Sequence, residues 1–314
     1  MPQATLHDGS TIDVTVHGTG HTLLLPVNPR PVGGPQAEEM RKWGADPALG
    51  RSLMDGLGER VRVAAFDYEG HVLAHPMPET LTPDNICADF LAVADAVGAE
   101  RFAYYGYSWF GLSGLQLALR TERLSALVMG GFPPVDGPYA AMLSVTRATH
   151  AMAGGPPSGT PASGDAGDAE KPGDSVKPGN SVDSGEPGDT GEPGDTGEHG
   201  EPVDEWSQVE VTMSKEQTQQ FVTLYEALQD FDDLAAQRRL TCPRLCFAGA
   251  ADRIEYGERW GGVVVDLAGP IAARRAELEA LGWDVALLDG LDHTTAMQAP
   301  AVLPIVLPWL AARV

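Results

Sequence analysis

Short apolar runs that stop at turn residues recur along this chain of 314 residues, and helical patterns fill the spaces between them. Residues 22–25 stop at Pro26, 61–66 at Asp67, 102–105 at Gly106, 126–129 at Gly130-Gly131, 244–247 before Gly249, and 285–288 at Asp289-Gly290. Runs this short, without polar alternation, read as strands buried on both faces. Thr82-Pro83-Asp84 reads as a helix start: a capping threonine, proline at the first helical position and an acid in the first turn. That helix is expected over 82–97, with Gly98 as its stop. Further helices are expected over 109–120, 138–152, 215–228, 271–281 and 296–312. Residues 4–6 and 11–17 flank Asp8-Gly9 and read as an opening pair of strands. Strand alternating with helix implies an α/β chain: a mostly parallel central sheet of about eight strands, covered by helices on both faces.

One segment breaks the pattern. Residues 153–205 are Gly, Pro, Ser, Asp and Glu with almost no large apolar side chain, and include the repeats KPGDSV/KPGNSV and GEPGDT. From Gly185 to Gly200 glycine falls at every third position, but so short a run lacks the length and proline content of a collagen helix. Such a composition cannot bury enough area to offset the entropy of ordering, so 153–205 reads as a disordered, low-complexity insertion. It divides a single core into 1–152 and 206–314.

Charge narrows the functional classes. The net charge is -23, with 44 acidic and 21 basic residues. Such a chain repels nucleic-acid phosphates and anionic membrane surfaces, which leaves a small molecule as the expected partner. No run approaches the roughly 20 apolar residues of a membrane span. Met1–Ser10 has no basic-then-apolar signal pattern, so the chain reads as soluble and cytoplasmic. The three cysteines, Cys87, Cys242 and Cys246, argue against a disulfide framework. Cys242 and Cys246 have no second pair to complete a metal set, and no metal or cofactor is expected. Oligomeric state has no signature in the sequence.

Chemistry concentrates after the run at 102–105, where Gly106-Tyr107-Ser108-Trp109-Phe110-Gly111 leads into a helix. A serine on a tight strand-to-helix turn is held clear of the backbone, with the free N–H groups of the helix beside it. Leu112 occupies the place of the phosphate-binding lysine, which excludes a P-loop reading of the same stretch. Ser113 lies a turn inside the helix and is the lesser candidate. With these residues the chain resembles the α/β-hydrolase family throughout, apart from the insertion. It departs from the family's Gly-x-Ser-x-Gly elbow in having Phe110 where a small residue is usual.

The resemblance implies a Ser-acid-His order along the chain. His293 is then the base, since it alone follows the last strand, in Asp289-Gly290-Leu291-Asp292-His293. Asp252 is the orienting acid, in a Gly249-Ala250-Ala251-Asp252 loop similar to the family's Gly-x-x-Asp. Glu255 and Asp136 are reserves for that role, and Asp292 is read as shaping the loop. The oxyanion donors implied are the N–H of Trp109 and a group on Asn28, where many relatives carry His-Gly-x; Val27 is the fallback. Tyr107, Met142, Phe221 and Tyr225 are candidates to line a pocket, and 138–152 with 215–228 to form a small helical lid.

The resemblance implies a serine hydrolase of small carboxylic esters, lactones or thioesters. A catalytically quiet binding scaffold, an acyltransferase and a carbon–carbon bond hydrolase remain alternatives at this level. The family's epoxide and haloalkane hydrolases use aspartate where this chain has Ser108.

Overall fold

The computed structural model describes residues 1–42, 44–154 and 211–314. The bulk of the expected insertion, and residues 206–210 with it, lies outside the described residues. Seven strands form the central sheet, in the order β11-β8-β7-β6-β4-β5-β3. They are β3 (Thr15–His17), β4 (Thr22–Leu25), β5 (Arg62–Ala65), β6 (Phe102–Tyr107), β7 (Leu124–Gly130), β8 (Arg244–Gly249) and β11 (Trp283–Leu288). Every pairing is parallel except β3 with β5, so six carboxyl ends share one edge.

The expected count of about eight falls to seven at the N-terminus. The run at 11–17 divides at Val14 into β2 (Thr11–Asp13) and β3; β2 pairs with β1 (Gln3–Thr5) as a separate hairpin, and only β3 joins the sheet. A second hairpin, β9 (Arg253–Glu255) with β10 (Val264–Asp266), follows β8 and was not foreseen.

Side-chain alternation along the strands divides the core in two, one layer per face. Leu24, Ala64, Tyr104, Leu127 and Cys246 belong to one layer. Leu23, Leu25, Val63, Tyr105, Tyr107, Val128 and Phe247 belong to the other. The first layer is covered by α4 (Pro83–Ala96), α5 (Trp109–Ala118), α6 (Tyr139–Met152), α7 (Lys215–Glu226), α9 (Ala268–Ala273) and α10 (Arg275–Ala280). The second is covered by α2 (Leu49–Gly58), α11 (His293–Ala296) and α12 (Ala299–Arg313). Thr82 caps α4 as its sequence requires, and Ser214 closes a capping box on α7.

The helix expected at 271–281 is broken in two at Arg274, whereas that expected at 296–312 is one continuous helix that starts at Ala299, after the short α11. Also absent from the sequence reading are α1 (Gly34–Lys42), α2, α3 (Tyr68–Ala74) and α8 (Asp233–Ala236). Glycine masks α2: Gly50, Gly56 and Gly58 lower its helical propensity, yet a Cβ at Gly50 would lie 2.0 Å from the Asn28 carbonyl oxygen. Close approach of α2 to the loop after β4 therefore demands the residue that hides the helix. Among the described residues no helix is long and apolar enough to cross a membrane.

Candidate active site

Ser108 leaves β6 with φ 58° and ψ -129°, a conformation that L-residues avoid and that costs about 1–3 kcal/mol. Its N–H donates to Gly130 at the end of β7 (2.8 Å), which ties the turn to the sheet. Ser108 is the N-cap of α5, but its hydroxyl makes no capping bond. The strained backbone instead turns Oγ to the imidazole Nε2 of His293, 3.1 Å away.

The glycines and Phe110 explain each other. A Cβ at Gly106 would lie 2.3 Å from the Phe110 carbonyl oxygen, and one at Gly111 would lie 3.0 Å from that of Gly130. Small residues are thus needed before the turn and one place later than usual. Phe110 itself points into the first core layer against Phe90 and Tyr68, and Tyr104 donates its hydroxyl proton to the Phe110 carbonyl (2.8 Å).

His293 opens α11, one residue beyond Asp292, which caps that helix through Thr295. Its Nδ1 lies 2.8 Å from Oδ2 of Asp252, a fully buried carboxylate on the turn after β8. The two loops touch because Gly249 lacks a side chain: a Cβ there would lie 2.1 Å from the Leu291 carbonyl oxygen. The Ala251 N–H donates to that same carbonyl (2.9 Å). With hydrogen on Nδ1 donated to Asp252, the free Nε2 is an acceptor for the serine proton.

The reserves are engaged elsewhere. Asp136 pairs with Arg274, Glu255 with Arg253, and the Ser113 hydroxyl donates to the Trp109 carbonyl (2.8 Å). Trp109 follows Ser108 at the start of α5. Asn28 is half-buried after β4, and its carboxamide oxygen accepts the Arg30 N–H (2.9 Å). The Val27 N–H is taken by the Leu25 carbonyl (2.9 Å), which removes the fallback donor.

Of the four pocket candidates, Phe221 on α7 meets Trp109 edge-on, with centroids 5.7 Å apart. Met142 is half-buried on α6, which packs against α7. Tyr107 and Tyr225 are corrections. Tyr225 is 3% exposed, in the core between those helices, and offers a ligand almost no surface. Tyr107 belongs to the opposite core layer, because β6 alternates. It lies under His293, with ring centroids 5.1 Å apart, and its hydroxyl donates to the His293 carbonyl (2.9 Å). Burial, then the charge of Asp252, pushes the Tyr107 phenol up, so it remains a donor.

The sequence reading passed over the loop after β5. There Asp67 caps α3 by accepting the Gly70 N–H (3.0 Å), Tyr68 sits 6.2 Å from the Trp109 ring, and Glu69 follows. The Glu69 side chain is exposed to solvent. Burial among surrounding protein nevertheless pushes its carboxyl up; Asp67 adds to the rise, and a hydrogen bond from Trp109 opposes it. Its signal was position: an acid at the same sheet edge as the serine.

Among the described residues, no three His, Cys, Asp or Glu side chains form a group able to hold a metal. A depression of about 490 Å³ lined by Ala140, Leu143, Ser144, Arg147, Gln229 and Asp230 contains none of the residues described above.

No protein-family model matches the chain, and no curated protein sequence matches it. Solved structures do. An esterase from Thermogutta terrifontis superposes with a TM-score of 0.58 at 14% identity, over 99% of this chain and 97% of that one. An enol-lactonase from Burkholderia xenovorans gives 0.51 at 15%, over 98% and 99%. An esterase from Exiguobacterium antarcticum gives 0.51 at 15%, over 99% of both. With its parallel sheet and the helices on both faces, the chain has the α/β-hydrolase fold.

Proposed function

We propose that this protein is a serine hydrolase that cleaves a small carboxylic ester, lactone or thioester. The observation that carries the reading is the relay Ser108 Oγ, His293 Nε2, His293 Nδ1, Asp252 Oδ2, at 3.1 and 2.8 Å, built on a strained serine. Ser108 attacks the acyl carbon as its proton passes to His293. Asp252 holds the imidazole in the tautomer that can accept it and stabilises the imidazolium. The negative charge growing on the carbonyl oxygen faces the start of α5, where the Trp109 N–H is the first donor; a group on Asn28 is the second.

Collapse of the tetrahedral species breaks the bond to the alcohol or thiol, which leaves with the proton from His293. Water, deprotonated by the same imidazole, then attacks the acyl-serine and releases the acid. Tyr107 supports this cycle from beneath, through the His293 backbone.

Ser108→Ala, assayed on p-nitrophenyl esters of varied chain length, tests the reading. Turnover at the parent rate by the variant would overturn it. A fluorophosphonate probe separates it from the quiet scaffold: an activated serine is labelled at Ser108, and a scaffold in its folded state is not.

A further inference from the structure

Resting on that reading, we infer that Tyr107 is a positioning residue of the relay: its hydroxyl holds the His293 backbone at the distance from which the imidazole meets the serine, a task separate from its place in the core. Three observations converge. The first is that His293 is poorly held by its own helix. α11 is a single turn of four residues, and so short a helix has little cooperativity of its own. The Ala296 N–H reaches back to the Asp292 carbonyl (3.0 Å). The Met297 N–H, which one more helical bond would aim at the His293 carbonyl, is directed to Thr295 instead. The Tyr107 hydroxyl supplies the donor that the helix does not, at 2.9 Å and from 186 positions away in the chain.

The second is how the ring is housed. A Cβ at Gly130 would lie 2.5 Å from the Tyr107 ring, and one at Gly131 would lie 2.6 Å from it. The ring centroid is 5.9 Å from that of Phe247 and 5.1 Å from that of the imidazole. Tyr107 also precedes Ser108, whose N–H is tied to Gly130 (2.8 Å). One residue thus carries both ends of the 3.1 Å contact, the serine through a peptide bond and the base through a hydroxyl.

The third is the contrast with Tyr105. It shares the strand and the core layer, is 2% exposed, and has its ring 6.0 Å from Phe247. Its hydroxyl has no partner among the described residues. The layer packs a tyrosine ring there without drawing on the hydroxyl, and the Tyr107 hydroxyl differs in being bonded to the residue that bears the base.

Tyr107→Phe keeps the ring and removes the hydroxyl, and Tyr105→Phe is its matched control. Each full-length variant is assayed on p-nitrophenyl acetate, and the fluorophosphonate probe gives both the number of reactive sites and the labelling rate per site. A misplacement of about 1 Å costs on the order of 10²-fold, so loss of one of two tethers on the base should lower kcat about tenfold. KM should stay within about twofold of the parent, since substrate binding is not touched. Labelling per titrated site should slow by the same factor as kcat, and Tyr105→Phe should match the parent in all three. A merely structural role lowers the number of reactive sites and leaves the rate per site alone. That pattern, a parent-like rate per site in Tyr107→Phe, or an equal fall in Tyr105→Phe, overturns the inference. Failure of the hydrolase reading has a different signature: the parent itself neither cleaves the ester nor takes the label, which leaves no relay to position and removes the inference with it.

Discussion

Among the described residues, two histidine–aspartate pairs are built on a fully buried carboxylate, and their surroundings set them apart. In one, His293 Nδ1 is 2.8 Å from Asp252; in the other, His7 Nδ1 is 2.9 Å from Asp89. Both carboxylates are fully buried, and both imidazoles turn Nε2 to a hydroxyl: Ser108 at 3.1 Å, Thr80 at 3.2 Å. The pairs differ in what surrounds them. Asp89 also accepts the His7 N–H (2.7 Å) and the Tyr68 hydroxyl (2.6 Å), so α4 is fastened to the N-terminal hairpin and to α3. Asp252 has only the imidazole on its side chain among the described residues, its Oδ1 being unpartnered. Thr80 sits in an ordinary turn, whereas Ser108 is held at φ 58° at the start of a ten-residue helix. A paired imidazole is therefore common structural material. Strain in the residue it faces, and helix N–H groups beside that residue, are what distinguish the His293–Asp252 pair and what the proposed relay draws on.

The largest expected effects cross between the pairs. Ser108→Ala should lower kcat by about 10⁴-fold or more, while Thr80→Ala leaves it at the parent value. Mass spectrometry of probe-labelled protein checks the same contrast, and adduct at Thr80 would break it. Asp252→Asn should lower kcat about 10³–10⁴-fold with little change in unfolding free energy. Asp89→Asn should do the reverse. It unbalances a buried site with three donors around one carboxylate and should cost about 2–3 kcal/mol in urea unfolding, with esterase activity of the folded fraction retained. Equal losses of activity in both variants would erase the distinction.

Strain gives a smaller effect of opposite sign. Ser108→Gly removes the hydroxyl and the Cβ that object to φ 58°, so the inactive variant should be more stable than the parent by about 1 kcal/mol. Ser108→Ala keeps the Cβ and should gain none of this. Comparing the two variants by denaturant unfolding isolates the strain from the loss of the side chain.

Much of the His293–Asp252 pair was legible in the sequence, and nothing of the His7–Asp89 pair was. Ser108 stands out because glycines flank it between a strand and a helix, and His293 and Asp252 because each follows a short apolar run. His7 and Asp89 are 82 positions apart, in a hairpin turn and a mid-helix position that match no local pattern. Glu69 was hidden for a related reason: β4 lies between β5 and β6 in the sheet, so the approach of α3 to Trp109 follows from strand order, which spacing along the chain does not encode. Tyr107 is different, since its true place could have been read. Period-two alternation along β6 puts it on the face of Tyr105, away from the helix that carries Trp109. Phe110 looked like a flaw in the elbow only because the small-residue requirement had moved to Gly111.

The smallest effect concerns Glu69, and it separates a residue held at a cost from one that stabilises. Burial first, and then the Asp67 charge, raises the Glu69 carboxyl above its ordinary range; the Trp109 hydrogen bond lowers it only in part. Asp67 is itself raised by burial, against the Gly70 N–H, His71 and Arg30. A raised carboxyl binds its proton more tightly folded than unfolded, so the folded state loses stability as pH rises from the ordinary glutamate range through the raised value. Below that range both states are protonated and the cost vanishes. Glu69→Gln should therefore melt with the parent in acid and above it at neutral pH, by on the order of 1 °C. A Glu69→Gln protein that melts below the parent at neutral pH would place this carboxylate with Asp89, as a structural anchor whose Trp109 bond outweighs its burial.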